Sequence, residues 1–75
     1  MEAVKVLDAK GLACPMPVVR TKKAMDDLKS GEILEVHTTD QGSKSDLTAW
    51  AKSGGHEIVK NTEEGEVLKF WIKKA

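Results

Sequence analysis

Residues 3–39, AVKVLDAKGLACPMPVVRTKKAMDDLKSGEILEVHTT, decide the fold, because their hydrophobic pattern changes period twice. AVKVLD (residues 3–8) is short, β-branched and alternating, which predicts a first strand. From Pro15 to about Ser30 the period becomes helical: Val18, Thr21, Met25 and Leu28 share a face, with Ala24 beside them. Lys29, Ser30 and Gly31 then supply a basic last turn and a glycine stop. Alternation returns in EILEVHTT (residues 32–39). Leu34, Val36 and Thr38 fall on one side, with Glu35 and His37 on the other, so a strand with one buried face follows.

Beyond this unit the loop DQGS precedes a second helix. Ser43 is expected to cap it, with Asp46 three residues later as an acidic first-turn partner. Leu47, Trp50, Ala51 and Gly54 form the inward stripe, and Gly54-Gly55 ends the helix. Residues 56–62 and 66–73 read as two strands joined through Glu63, Glu64 and Gly65. In the last strand Leu68, Phe70 and Ile72 face one way, and Lys69, Trp71 and Lys73 the other. The order βαβαββ, with right-handed crossovers, puts both helices on one face of a four-stranded mixed sheet. The expected architecture is a two-layer α/β (α+β) sandwich, one domain covering residues 1–75.

A chain of 75 residues buries only about 60% of its unfolded surface, so its core must be compact. Twelve basic and twelve acidic side chains cancel, which leaves no global field to recruit nucleic acid or an anionic membrane. The N-terminal MEAVKVLDAK lacks a basic stretch followed by an apolar run, and no apolar run is long enough to span a bilayer. A cytoplasmic protein without a signal peptide is expected. His37, His56 and a single cysteine give no zinc-ligand spacing, so neither metal nor cofactor is expected.

That cysteine, Cys14, stands in GLACPMPVVRTKK (residues 11–23), where the first strand passes into the first helix. It falls at or beside the N-cap, a position that normally wants a side-chain oxygen for the unpaired N–H groups of the first turn. Pro15 and Pro17 remove two of those donors and preset a helical φ, which relaxes the demand for oxygen. The amides of Met16 and Val18 still turn their positive ends toward the sulfur. A thiolate in such a place is favoured by the amides and the macrodipole, and with nearby cations its pKa can fall from ~8.5 into the ~3.5–7.5 range. Lys10 and Arg20 supply the cations, and Gly11 allows a sharp turn that leaves the thiol uncrowded. The alternative is a small buried residue at a helix start. Flanking prolines and a loop position favour the reactive thiol.

Other residues invite plainer readings. His37 alternates with core positions and reads as a solvent-facing polar residue, Trp50 as packing, and Asp40 and Asp46 as capping groups. Met16, Val19, Arg20 and Lys23 form a second stripe on the first helix, away from its inward face. Two cations beside an adaptable apolar pair suit either a solvated helix side or a docking surface for an acidic partner. Nothing near Cys14 in sequence activates it as a hydrolytic nucleophile.

The stretch LDAKGLACPMPVVRTKKAM (residues 7–25) resembles the signature of the TusA/SirA family of small sulfur carriers, whose hallmark is Cys-Pro-x-Pro at the start of the first helix. The likeness runs the whole chain, with Asp40–Asp46, the Trp50 helix and Gly55-His56 following the family layout more loosely. Lys10 stands where the family often has arginine, and Gln41 where proline often follows the aspartate. The resemblance implies a βαβαββ fold like the C-terminal domain of bacterial translation initiation factor three, with sheet order 1-2-4-3 and the last strand antiparallel.

It also implies a persulfide relay. A protein donor, a cysteine desulfurase or a rhodanese, would load sulfane sulfur onto Cys14 for delivery to a protein acceptor. Family outlets include tRNA thiolation, sulfur oxidation, and molybdenum-cofactor or selenium metabolism. Such a protein is a monomeric carrier with sulfurtransferase activity rather than a stand-alone turnover enzyme. Two other readings remain open. A non-catalytic protein- or RNA-binding module is one, although strong nucleic-acid binding is not expected, since only Trp71, beside Lys69 and Lys73, offers a stacking surface. A thiol redox protein is the other, weakened by the lack of a second cysteine.

Overall fold

The computed structural model describes residues 3–13 and 16–75. Cys14 and Pro15, and with them the predicted start of the first helix, lie outside the described residues. The element order is β1 (Lys5–Ala9), α1 (Met16–Met25), β2 (Ile33–Thr38), α2 (Ser43–Ser53), β3 (Glu57–Glu64) and β4 (Val67–Lys73). The sheet order is β1-β2-β4-β3, with β1 parallel to β2 and β4 antiparallel to both of its neighbours. Two strand–helix–strand units are therefore closed by a last strand inserted between β2 and β3. This is the expected two-layer sandwich.

The core follows from the two periodicities. Leu34, Val36 and Thr38 of β2 are buried, and so are Leu68, Phe70 and Ile72 of β4. These strands pair Leu34 with Ile72 and Val36 with Phe70, which stacks their apolar side chains as cross-strand neighbours. Met25, Ala24 and Leu28 from the first helical segment and Leu47 and Ala51 from α2 complete the same cluster. Thr21 is buried as well, and its hydroxyl donates to the Pro17 carbonyl at 2.7 Å, which removes the penalty for burying it.

Several boundaries differ from the sequence reading. The first helix stops at Met25 rather than near Ser30. Asp26 and Asp27 follow at once, and carboxylates oppose the negative end of the helix dipole. Asp27 turns instead to Lys5 of β1, 3.4 Å away. The chain tightens into i→i−3 bonds, Asp27 to Ala24 and Leu28 to Met25, which still deliver Leu28 to the core. Gly31 then turns the chain at φ 89°.

Ser43 is not a cap: it is the first residue of α2, and Gly42 holds the N-cap place without a side-chain bond. The Ser43 side chain is buried beside Thr38, the two hydroxyls 3.2 Å apart, because it fills the corner between β2 and α2. Gly54 is exposed rather than inward, since it belongs to the helix end. There Gly55, at φ 77°, donates to Lys52 O and His56 to Ala51 O, the paired bonds of a Schellman stop. The last hairpin turns one residue later than expected, at Gly65 and Glu66. Among the described residues no helix is long and apolar enough to cross a membrane.

Phe70 is the largest of the fully buried side chains and sits at the centre of the β2–β4 pairing. Replacing it by alanine should cost about 3–5 kcal/mol, a large share of the roughly 5–10 kcal/mol that holds a domain of this size. Urea denaturation of Phe70→Ala measures it. A loss below about 1 kcal/mol would mean that the core lies elsewhere.

Candidate functional site

β1 and β2 run parallel and finish side by side, with Asp8 opposite His37 and Ala9 opposite Thr38. The loops that follow them therefore leave the sheet at the same end. One begins at Lys10 and is described as far as Ala13, and the other carries Thr39 to Gly42. In sheets with parallel strands, ligand and reaction sites gather at these carboxyl ends.

The first loop is held at several points. Asp8 accepts from the Lys10 amide at 3.0 Å, and Leu12 donates back to Ala9 O at 3.3 Å. Gly11 adopts φ 81°, the left-handed region, and donates its N–H to the Thr39 hydroxyl at 2.9 Å. Downstream, the Met16 amide donates to Ala13 O at 2.9 Å. Cys14 and Pro15 lie between these last two residues in sequence, so both ends of that short stretch are anchored. Pro17 is buried, and its carbonyl accepts from Thr21 one turn on. Of the motif residues, Gly11 and Pro17 are thus described, Gly11 in the turn and Pro17 in the first turn of α1. Cys14 and Pro15 lie outside the described residues.

The second loop is braced internally. Asp40 donates its amide to the Thr38 hydroxyl at 3.2 Å, and its carboxylate accepts from the Gly42 amide and the Ser43 hydroxyl, both at 3.4 Å. Asp40, expected as a capping group, braces the loop that leads into α2. The part played by Thr39 carried no signal in the sequence: a hydroxyl at a strand end matters only once the neighbouring loop is known.

The second stripe of α1 is exposed. Met16 and Val19 are 38% and 49% accessible, and Arg20 and Lys23 stand beside them in solvent. Arg20 and Lys23 also line a shallow cleft against β1, floored by Leu7 and Ala24 and closed by Lys5 and Asp27. Lys10 is exposed at the head of the loop.

A model of the family described as Sulfurtransferase TusA matches residues 5–74. The chain belongs to this family. YrkI of Bacillus subtilis is 70% identical over 74 residues, which make up 99% of each chain. The sulfur carrier protein TusA of Allochromatium vinosum is 46% identical over 69 residues, covering 92% of this chain and 91% of its own. The crystal structure of a SirA-like protein from Desulfitobacterium hafniense superposes with a TM-score of 0.83 at 28% identity, covering 93% of this chain and 96% of that one. The resemblance read from residues 7–25 is therefore a family membership that extends through the whole TusA fold.

His37, expected to face solvent, lies on the open face of the sheet but is partly buried there, hydrogen-bonded to Glu35. Trp50 packs against the core, its ring 5.0 Å from that of His56. On the open face the cation over Trp71 is Lys60 of β3, 5.2 Å from the ring centre, while Lys69 pairs with Glu64 at 3.3 Å.

A Cβ placed on Gly11 would meet no atom within 4 Å, so the demand for glycine there is conformational alone. Gly11→Ala should cost about 1–2 kcal/mol, the penalty of the left-handed region, and Gly11→Asn noticeably less. Denaturant midpoints of the two variants test the order. An alanine variant as stable as the parent would show that the loop has no need of that backbone angle.

Proposed function

We propose that this TusA-family protein is a sulfur carrier that holds sulfane sulfur as a persulfide on Cys14 and passes it from one protein to another. The observation that carries the reading is the place of the one cysteine in the sequence: it stands two positions before Met16, the first residue of α1, between the Gly11 anchored to Thr39 and the buried Pro17. The sulfur carrier role of the relative from Allochromatium vinosum supports it.

Loading is a thiolate exchange. The Cys14 thiolate attacks the outer sulfur of a donor persulfide, a new S–S bond forms, and the donor's S–S bond breaks as its thiolate leaves. Sulfur moves with no net oxidation, and no cofactor is required. Delivery is the same step with the acceptor as attacker. The Met16 amide, expected to face the sulfur, bonds the Ala13 carbonyl instead, so the positive end of the α1 dipole is what favours an anion here and helps both the attack and the later departure of Cys14. A cysteine desulfurase or a rhodanese would be the donor, in a cytoplasmic relay.

Docking falls to the exposed side of α1. Met16 and Val19 give an adaptable apolar contact, while Lys10, Arg20 and Lys23 steer an acidic partner. A carrier must meet donor and acceptor in turn, so a modest, reusable patch suits it better than a large apolar one.

Incubation with a desulfurase and cysteine should add one sulfur to the protein in mass spectra, and Cys14→Ser should take none while staying folded, since serine is a good N-cap. A loaded Cys14→Ser protein would end the carrier reading. Arg20→Glu with Lys23→Glu should slow protein-to-protein transfer several-fold at low salt, and less as salt rises. Unchanged transfer at low salt would reduce the stripe to a solvated surface.

A further inference from the structure

We infer that Thr39 is a positioning residue for the Cys14 loop. The inference rests on the carrier reading only for what the loop is for. Its physical basis is separate.

Gly11 and Thr39 lie 28 positions apart in sequence, yet the Gly11 amide donates to the Thr39 hydroxyl at 2.9 Å. Among the described residues this bond is the side-chain tether between the β1–α1 loop and the β2–α2 loop. The two partners differ in how firmly they are held. Thr39 follows Thr38, which is fully buried, paired to Ala9 across the sheet, and bonded through its hydroxyl to both Asp40 and Ser43. Ser43 is buried in turn and donates to the Asp40 carboxylate, while its amide bonds the Asp40 carbonyl. Thr39 is thus a post set in a cross-braced corner.

Gly11 has no such support from its own side chain. Its backbone sits at φ 81°, with open space where a Cβ would stand. Glycine reaches many other angles at little cost, so its intrinsic preference does not fix the chain direction here. The Leu12–Ala9 bond closes the local turn, and the bond to Thr39 ties that turn to the braced neighbouring loop. Three residues further along the chain is Cys14, and small changes in direction at Gly11 are carried to it. For a group that must meet a second protein's sulfur in line, misplacement on the order of 1 Å can cost about 100-fold in rate.

The β2–α2 loop therefore serves the site although it brings no reacting group to it. The hydroxyl is the essential feature. Valine at position 39 has nearly the same shape but cannot accept, whereas serine can.

The test compares Thr39→Val and Thr39→Ser with the parent protein. Thr39→Val should exchange the Gly11 amide proton faster, transfer sulfur several-fold more slowly, and show a higher midpoint in the pH dependence of Cys14 alkylation by iodoacetamide. Its melting temperature should stay close to the parent's, because the bond is exposed. Thr39→Ser should restore all three readouts. Parent-like transfer and alkylation in Thr39→Val would overturn the inference, and so would equal loss in both variants. Should the parent itself take up no sulfur, the carrier reading falls. Alkylation then decides the matter alone: a raised midpoint in Thr39→Val supports the positioning role, and an unchanged one refutes it.

Discussion

Ala9 and Thr38 are completely buried and face each other at the end of two parallel strands, and that pairing places everything of interest in the molecule. Parallel pairing requires a crossover helix, so α1 must begin near where β1 ends, and the loop between them is kept short. The same pairing brings the start of the β2–α2 loop alongside. A slip of one residue would turn Leu34, Val36 and Thr38 away from the core, so the register is fixed by burial. Site geometry in this protein is thus a consequence of core packing, passed on through strand ends.

The helix start adds the chemical element. Pro17 brings no donor to the first turn of α1, and the Met16 amide is taken by the Ala13 carbonyl at 2.9 Å, so what favours an anion here is the helix dipole. A sulfur atom accepts hydrogen bonds poorly, so a helix start with fewer donors is one that a cysteine can occupy without a large loss in stability. The support beneath is apolar and bonded: Pro17 is buried, and Thr21 returns its hydroxyl to the Pro17 carbonyl. Met16 and Val19 leave exposed apolar surface on α1.

Much of this was legible in the sequence, because periodicity and steric rules are local. The alternation of Leu34, Val36 and Thr38 and of Leu68, Phe70 and Ile72 identified the buried faces of β2 and β4, and the glycine at position 11 announced a turn. Features that depend on distant partners were not legible. The early end of α1 reflects Asp26 and Asp27 against the helix dipole, reinforced by Lys5, whose proximity only the fold supplies. Ser43 has the composition of a cap, yet burial beside Thr38 recruits it to the corner instead. Thr39 looks like any polar residue at a strand end until Gly11 is brought to it.

The central claim is that this helix start, set on a fixed pair of strand ends, makes Cys14 an ionised, accessible nucleophile at neutral pH. The rate of Cys14 alkylation by iodoacetamide as a function of pH measures it directly, since only the thiolate reacts. A depressed pKa carries the rate to its plateau at lower pH, so the account predicts a midpoint clearly below the free-cysteine value of about 8.5. A midpoint at or above that value, or a thiol that reacts only in denaturant, would contradict it.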